Sequence, residues 1–299
     1  MRYAEAGGAR VSVIGLGTWQ FGSREWGYGR DYAQTVAPAI VHRALELGIN
    51  LVDTAEIYGL GASEKIVGKA IRGSREKVFL ATKVFPVGLP FMIPTRAQGS
   101  ARRLAVEHLD LYQQHWPSPL FPAGAAMAAF KALVMTGLVE HVGVSNHNLA
   151  QWQACDAALG AAVLSNQVKF SLLDRSPERE LVPFAQRNDR LVIAYSPLGQ
   201  GVLSGRYQDH PTPRDLRRFR GDFSADGRTR TQPLIAALRE IGGRHQATPA
   251  QVALAWLVAK PNVVAIPGAS SVKQLEENAA AGDLALERDE LARLDSLSS

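Results

Sequence analysis

The stretch Leu51-Val-Asp53-Thr-Ala-Glu-Ile-Tyr58 begins as an apolar run typical of a β-strand and ends in titratable side chains. Two later runs have the same form, one ending in Ala-Thr-Lys83-Val and the other in Leu-Tyr-Gln-Gln-His115. Helical patterns separate the three runs, so we expect parallel strands whose ends lie on the same side. Four titratable groups would then meet on one rim, where their burial is costly unless they are paired or used.

Strand-like and helix-like runs alternate through the whole chain. Eight strands are predicted, over residues 13–18, 50–54, 78–84, 109–115, 140–145, 163–168, 191–196 and 263–267. Eight is the number in a (β/α)8 barrel, a fold that typically takes about 250 residues. Several of these runs are apolar throughout, as expected for parallel strands covered on both faces. We therefore predict an α/β fold of the TIM barrel type. A doubly wound sheet is the alternative, and it requires a reversal of strand order that sequence does not reveal.

The rest of the chain is predicted to extend this barrel without adding a second unit. Residues 1–12 are expected to form an N-terminal hairpin on the barrel floor, and residues 287–296 a C-terminal helix. Ser63 is expected to open a short helix that stops at Gly73, and Thr248-Pro249 to start another. No linker is evident, so residues 1–299 are predicted to be a single domain.

Composition favours a globular protein of a reducing compartment. The chain is 46% hydrophobic and 20% charged, and Cys155 is its only cysteine. No signal peptide and no membrane-spanning run is evident, so we expect a cytoplasmic protein without membrane association. The histidines other than His115 lack metal-ligand spacing, and no metal site is predicted.

The formal net charge is +5, and much of the excess lies in residues 206–230. This segment lacks interleaved aromatic residues and a helical basic stripe, which argues against nucleic acid binding. An anionic small molecule is a better explanation. The segment is predicted either to fold over such a ligand as a lid or to be a solvated surface loop.

Asp53, Tyr58, Lys83 and His115 form a set suited to proton transfer. Two charges about 4 Å apart at an effective dielectric constant of about 20 interact by roughly 4 kcal/mol. Lys83 beside the Tyr58 hydroxyl could therefore lower the pKa of the phenol by at most about three units from about 10, towards neutral pH. Asp53 would keep Lys83 charged, and His115 would hydrogen-bond the substrate oxygen. We expect Tyr58 to protonate a developing alkoxide or to deprotonate an alcohol.

Each of these residues alone has a simpler explanation. Asp53 and Lys83 are equally compatible with a structural ion pair, and Tyr58 with packing in a glycine-flanked loop. A single histidine at a strand end, such as His115, is more often a satisfied structural residue than a catalyst. The four residues together, in this order on one rim, favour a shared catalytic role.

A proton donor needs a partner reagent when the chain has no metal-ligand cluster and no Gly-x-Ser-x-Gly nucleophile motif, as here. A bound cofactor would be that reagent. The ends of the later strands are polar, and we interpret them as its binding surface. Gly199, Gly201 and Gly205 allow a backbone to approach a pyrophosphate closely, with Arg206 as a charge partner. Their spacing is not that of a Rossmann fingerprint, and glycines also serve in ordinary turns.

The last strand, which ends in Ile-Pro-Gly268-Ala-Ser270, has a more specific pattern. Ser271 and Gln274 have the spacing of a capping box, so a helix is predicted to begin there with free N–H groups facing the rim. An ordinary capped helix does not explain Lys273, because acids are preferred in the first helical turn. An additional phosphate would explain it, which favours NADP(H) over NAD(H).

These motifs resemble those of the aldo-keto reductase superfamily over nearly the whole chain. The resemblance is carried by Gly-Leu-Gly-Thr-Trp19, Asp53-x4-Tyr58, Thr-Lys83, Asp-Leu-Tyr-Gln-Gln-His115, Gly-Val-Ser145-Asn146, Tyr-Ser196-Pro-Leu-Gly and Ile-Pro-Gly268-Ala-Ser. It implies a TIM barrel that binds NADP(H) without a Rossmann domain and reduces an aldehyde or ketone to an alcohol, or catalyses the reverse. It also implies that Tyr58 is the general acid, that Asp53 and Lys83 tune it, and that His115 orients the substrate.

The resemblance further implies where the cofactor lies. The nicotinamide amide would contact Ser145, Asn146 and Gln167, with Tyr195 or a neighbour stacking on the ring. The pyrophosphate would contact the turn residues Ser196, Leu198, Gly199, Gly201, Leu203, Gly205 and Arg206. The adenosine phosphate end would contact Gly268, Ser270, Lys273, Gln274, Glu277 and Asn278. The insertion after the seventh strand and the short C-terminal tail are similar to those of the bacterial and channel-β-subunit-like branches.

The loop 85–94 is apolar and proline-rich where many relatives carry polar residues. It is predicted either to line an apolar substrate pocket or to cover the barrel top by packing alone. In the first case the pocket residues would be Trp19, Trp26, Tyr28, Phe85 and Trp116.

Two other functional classes are compatible with parts of the pattern. One is a redox-sensing regulatory protein that binds the cofactor and turns over slowly. The other is a metal-dependent barrel hydrolase, which needs clustered ligands at strand ends, where only His115 fits.

Overall fold

The computed structural model describes residues 1–22, 32–209 and 221–298. This part of the chain contains a two-stranded antiparallel hairpin and eight parallel strands that neighbour one another in chain order. The strands are β1 Tyr3–Ala6, β2 Ala9–Ser12, β3 Leu16–Gly17, β4 Leu51–Asp53, β5 Phe79–Val84, β6 Leu109–Gln114, β7 Val139–Ser145, β8 Ser165–Lys169, β9 Leu191–Tyr195 and β10 Val263–Ala265. The predicted parallel sheet and hairpin are confirmed, and the strand-order reversal of a doubly wound sheet does not occur among these residues.

The two edges of the eight-stranded sheet meet through the glycine-rich segment before β3. The sequence predicts one strand over residues 13–18, but only β3 pairs with β4. The preceding residues pair with β10 instead: the N–H of Gly15 donates to the carbonyl of Ala265 over 2.7 Å, and the N–H of Ala265 donates to the carbonyl of Val13 over 2.8 Å. Gly17 permits this approach, because a Cβ there would lie 2.7 Å from the carbonyl oxygen of Ile266. The arrangement is TIM-barrel-like.

Helices alternate with the strands as predicted. They are α1 Ala37–Glu46, α2 Ala62–Ala70, α3 Ile93–Leu104, α4 Met127–Met135, α5 Leu149–Leu159, α6 Leu181–Arg187, α7 Arg206–Asp209, α8 Ala225–His245, α9 Pro249–Val258, α10 Val272–Ala280 and α11 Arg288–Leu297. Thr248 caps α9 in a complete capping box with Gln251. Ser63 lies inside α2 and does not open it, because its buried hydroxyl donates to the carbonyl of Thr18 over 2.9 Å. None of the helices in the described ranges is long and apolar enough to cross a bilayer.

The strand side chains pack in two layers, which explains their continuous apolar runs. One face, including Leu51, Leu111 and Leu191, packs together with Val11 of the hairpin. The alternate residues, such as Val52, pack against the helices. The hairpin therefore covers the amino ends of the strands, as predicted, and the carboxyl ends are left for a site.

Candidate active site

The four predicted catalytic side chains lie together at the carboxyl ends of β4, β5 and β6. Asp53 ends β4, Tyr58 begins the turn that follows, and His115 directly follows β6. Nζ of Lys83 lies 2.6 Å from Oδ2 of Asp53 and 3.5 Å from the hydroxyl of Tyr58. The rings of Tyr58 and His115 meet edge to face, with their centroids 5.8 Å apart. Parallel strands thus bring one phenol, one cation, one carboxylate and one imidazole into contact.

Asp53 and Lys83 form a buried ion pair with further hydrogen bonds. Lys83 also donates to the carbonyl of Thr54 over 2.8 Å. Oδ1 of Asp53 accepts from Nε2 of Gln167 over 2.8 Å and from Nε2 of Gln113 over 3.4 Å. These bonds offset a desolvation cost of several kcal/mol per ion. Burial lowers the pKa of Lys83, but the charges and hydrogen bonds of Asp53 and Tyr58 together outweigh it, and the pKa lies above its ordinary value. Lys83 is therefore charged.

The expected shift of the Tyr58 pKa towards neutrality is wrong. Burial raises the pKa of the phenol, Lys83 lowers it, Asp53 raises it again, and the net direction is upward. The expectation considered the charge of Lys83 but not the burial of the phenol, which has the largest effect, and Asp53 offsets part of the attraction of Lys83. Tyr58 therefore holds its proton at neutral pH and can act as an acid.

His115 is a neutral imidazole. Burial, followed by the charge of Lys83, lowers its pKa to about 3. The main-chain N–H of His115 donates to the carbonyl of Val84 over 2.9 Å, and its main-chain carbonyl accepts from Nδ2 of Asn146 over 3.1 Å. Nδ1 is buried without a hydrogen-bond partner among the described residues. A neutral imidazole at this position can hydrogen-bond a carbonyl oxygen without adding a charge.

The residues predicted to bind nicotinamide form one hydrogen-bonded group at the ends of β7, β8 and β9. The hydroxyl of Ser145 donates to the main-chain carbonyl of Gln167 over 2.8 Å, and Nδ2 of Asn146 donates to Oγ of Ser145 over 3.0 Å. The hydroxyl of Tyr195 donates to Oδ1 of Asn146 over 2.9 Å. Asn146 has a left-handed φ of 61°, which Asn tolerates better than most residues. The group shares its rim with Asp53.

The turn between β9 and α7 contains the predicted pyrophosphate contacts. Its left-handed residues are Ser196, Gly199, Gln200, Gly201 and Gly205. Arg206 is exposed and forms no ion pair within the described ranges. The side chain of Leu203 is fully buried in the hydrophobic core and Leu198 packs against that core, so the predicted contact of Leu203 would be made by its main chain. Both residues anchor the turn. Residues 210–220 of the predicted lid segment lie outside the described residues.

The helix after the last strand begins as predicted, with one difference. The hydroxyl of Ser271 accepts from the N–H of Gln274 over 3.2 Å. Oε1 of Gln274 does not complete the capping box but accepts from the N–H and the hydroxyl of Ser270, over 2.7 and 2.9 Å. Lys273 is exposed and forms no ion pair with a described residue, and Glu277 is half-buried. The side chain of Lys273 is therefore available to an anion.

Gln20 holds the loop before α10, and sequence reasoning missed it. Its Nε2 donates to the carbonyl of Ala269 over 2.7 Å. A Cβ on Gly268 would lie 2.5 Å from Oε1 of Gln20, and Asn278 donates to the carbonyl of Gly268 over 3.3 Å. Gln20 directly follows the Gly-Leu-Gly-Thr-Trp19 motif at the end of the first strand, and that position on the rim was the available signal.

The predicted pocket residues are only partly covered by the structure. Two of them lie outside the described residues, namely Trp26 and Tyr28. Trp19 and Trp116 are 38% and 45% exposed, and Phe85 packs edge to face on His115 with centroids 6.0 Å apart. The rest of the loop lines a small cavity next to α3 and exposes apolar side chains at Val87, Leu89, Phe91 and Met92. The loop therefore faces the site at Phe85 and packs over α3 beyond it.

Sequence reasoning also missed a second carboxylate and a glutamine at the site. Glu56 accepts a hydrogen bond from the main-chain N–H of Phe85 over 2.7 Å. It also forms an ion pair with Arg96, so the charge of Arg96 is compensated. Gln113 reaches the buried ion pair from β6. The period of two along a strand places Gln113 on the same face as His115, so its position was predictable.

A group of possible metal ligands lies at the amino ends of β6 and β7. The ligand atoms of His108, Asp110 and Glu140 are all within 4.8 Å of one another. Nη2 of Arg75 already lies 2.6 Å from Oδ2 of Asp110 and compensates its charge. Barrel enzymes build their sites at the opposite ends of the strands, so this group does not favour the hydrolase alternative.

Comparison with known proteins agrees with this geometry. The model of the Aldo/keto reductase family matches residues 13–299. The uncharacterized oxidoreductase Rv2298 of Mycobacterium tuberculosis is 51% identical over 288 residues, which cover 96% of this chain and 89% of that protein. Methylglyoxal reductase YeaE of Escherichia coli is 35% identical over 294 residues, which cover 97% of this chain and 92% of that protein.

Solved structures show the same likeness. The crystal structure of an aldo-keto reductase from Klebsiella pneumoniae in complex with NADPH matches with a TM-score of 0.78 at 31% sequence identity, covering 99% of this chain and 95% of that one. With its family match over residues 13–299 and these relatives, the chain belongs to the aldo/keto reductase family.

Proposed function

We propose that this protein reduces a small aldehyde or ketone to an alcohol with NADPH, or catalyses the reverse, with Tyr58 as the general acid or base. The observation that carries the proposal is the contact of Lys83 with both Asp53 and Tyr58, beside the neutral ring of His115. This group can protonate an oxygen that becomes negative but cannot supply a hydride, so a bound reductant is required.

The later strand ends fit NADP(H). Ser145, Asn146 and the side-chain oxygen of Gln167 would hold the nicotinamide amide, and the turn after β9 would carry the pyrophosphate. Arg206 and Lys273 are exposed cations without an ion pair in the described part of the chain, which suits phosphate groups. NADPH, when bound, supplies the hydride. The Klebsiella relative was crystallised with NADPH, which supports this choice.

The side chains divide the proton chemistry. Tyr58 gives its proton to the developing alkoxide, and the Lys83 ammonium stabilises the phenolate left behind. Asp53 keeps Lys83 charged throughout. His115, being neutral, hydrogen-bonds the carbonyl oxygen and orients it.

The same proposal extends to the surroundings of the site. Residues 1–299 would form a single domain around it, because the first and last strands of the sheet are joined. Trp19, Phe85 and Trp116 would form an apolar wall for the substrate. No observation on the described residues favours the regulatory alternative.

The test is Tyr58→Phe, which removes the proton donor and keeps the ring. Carbonyl reduction should fall by roughly 10²–10⁴-fold, while the Kd for NADPH stays nearly unchanged. Tyr112→Phe is a matched control, because that buried hydroxyl in β6 has no hydrogen-bond partner among the described residues. Retained turnover in Tyr58→Phe would refute the role of Tyr58.

A further inference from the structure

Two glutamine amides hold the oxygen of Asp53 that Lys83 does not use. Oδ2 of Asp53 accepts from Lys83, whereas Oδ1 accepts from Nε2 of Gln167 over 2.8 Å and from Nε2 of Gln113 over 3.4 Å. All of these side chains are buried. The carboxylate thus accepts hydrogen bonds from side chains of β5, β6 and β8, which fix its rotation.

Gln113 occupies its position at a cost to stability. Its side chain is fully buried, and its Oε1 has no hydrogen-bond partner among the described residues. Leaving a buried polar atom unsatisfied costs about 1–3 kcal/mol. An apolar side chain of the same size would fill the space without that cost, so packing alone does not explain a glutamine here.

Gly143 makes room for this amide. Lys83, Gln113, Gly143 and Ser165 are successive register partners across β5 to β8. A Cβ at Gly143 would lie 2.8 Å from Cγ of Gln113 and 2.6 Å from Oγ of Ser165. Its φ is not left-handed, so the backbone does not require glycine there. Glycine within a strand is unfavourable, and the space that it leaves is filled by Gln113 together with Ser165.

We propose that Gln113 and Gln167 are positioning residues that orient the carboxylate of Asp53 towards Lys83, so that Lys83 stays charged beside Tyr58. The inference rests on the proposed function. Two N–H donors on Oδ1 leave Oδ2 directed at Lys83, and the nearby carboxylate favours the ammonium of Lys83. Among the described residues, the other titratable groups facing the pair are Tyr58 and His115.

Gln167 has a second role in this arrangement. Its Nε2 is engaged by Asp53, so its Oε1 is the atom left to accept from the nicotinamide amide. Its main-chain carbonyl accepts from the Ser145 hydroxyl over 2.8 Å and from the N–H of Asn146 over 2.9 Å. One residue therefore connects the cofactor surface to the acid–base group.

The experiment compares Gln113→Met with Gln114→Met. Both replace a buried amide in β6 with an apolar side chain of similar length, but Gln114 lies beside Val84 on the other face of the strand. In Gln113→Met, the Lys83 pKa should fall by roughly one unit, and the alkaline limb of kcat should move down with it. The Kd for NADPH should not rise, and the midpoint of urea unfolding should not fall. Gln113→Leu provides a second apolar variant if Gln113→Met folds poorly.

Lys83 is followed by 13C NMR of lysine Cε, assigned by its absence in Lys83→Met. This titration does not depend on turnover, so it tests the inference even if the protein reduces no carbonyl compound. An unchanged Lys83 titration in both Gln113 variants would overturn the proposal, as would an equal shift in Gln114→Met. A shift confined to Gln113 variants supports it.

Discussion

Nζ of Lys83 lies 2.6 Å from Oδ2 of Asp53, and neither side chain has appreciable access to solvent. The same nitrogen lies 3.5 Å from the hydroxyl of Tyr58. The charge of Lys83 therefore depends on Asp53, and the stability of a phenolate at Tyr58 depends on both. Changes at this pair should alter folding and chemistry together, whereas a change at an exposed residue such as Lys273 should alter only cofactor binding.

Lys83→Met should damage both stability and turnover. It leaves Asp53 buried without its cation, and breaking a buried ion pair costs about 3–5 kcal/mol. Urea unfolding should show this loss, and carbonyl reduction should become slower by at least about 10²-fold. Lys69→Met, on the exposed side of α2, is the control and should change neither quantity. A normal unfolding midpoint in Lys83→Met would mean that Asp53 and Lys83 do not pair in solution.

His115 should make stability depend on pH. Its pKa is about 3 in the folded chain, against 6.5 without the fold. Between these values the unfolded chain binds a proton that the folded chain does not, so stability falls as the pH drops from 6.5 towards 3. The loss from pH 7 to pH 4 should be about 3 kcal/mol.

The variant His115→Gln should remove that part of the pH dependence. The measurement is the free energy of urea unfolding at pH 7 and pH 4 in both proteins. His108→Gln, at an exposed position on the opposite end of the strands, should leave the difference unchanged. If His115→Gln shows the same loss on acidification as the parent protein, the ring is not buried as a neutral group.

Lys273→Ala should reduce affinity for NADPH more than for NADH. The side chain is exposed without an ion pair within the described residues, and a charge-assisted contact to the additional phosphate is worth about 1.5 kcal/mol. The Kd for NADPH should therefore rise by roughly 10-fold, with the Kd for NADH nearly constant. Fluorescence titration measures both, and Lys65→Ala on α2 serves as the control. Equal weakening for the two cofactors would contradict this phosphate contact.

Two helical glycines should respond to alanine in opposite directions. A Cβ on Gly68 in α2 would clash with the main-chain oxygen of Leu104, whereas one on Gly243 in α8 would meet nothing within 4 Å. Gly68→Ala should therefore destabilise the protein by about 1–3 kcal/mol through overpacking. Gly243→Ala should stabilise it by up to about 1 kcal/mol, because alanine favours helix. Thermal unfolding of the pair checks both signs.

Much of this architecture was predictable from local pattern. Apolar runs separated by helical periods predicted all eight strands, since burial on both faces leaves a signal in each run by itself. The pairing of the first predicted strand was not predictable, because Gly15 pairs with the last strand and not with the second. That pairing depends on a residue some 250 positions away and leaves no trace in the local pattern.

The site was less predictable where a property depends on several neighbours together. Gln20 and Gln113 were missed because their importance comes from contacts with Ala269 and Asp53, on distant segments. Leu203 was assigned to the cofactor by the family resemblance, but burial in the core decides what its side chain can touch.

The sequence by itself determined which strands form, which of their ends carry polar groups, and that Asp53, Tyr58, Lys83 and His115 lie on one rim. Only the tertiary structure decided the pKa values of the side chains on that rim. The pKa of Tyr58 moves upward, against the expectation, because burial and Asp53 together outweigh Lys83. Desolvation and charge attraction are large and opposed at these distances, so their balance depends on how every surrounding strand packs.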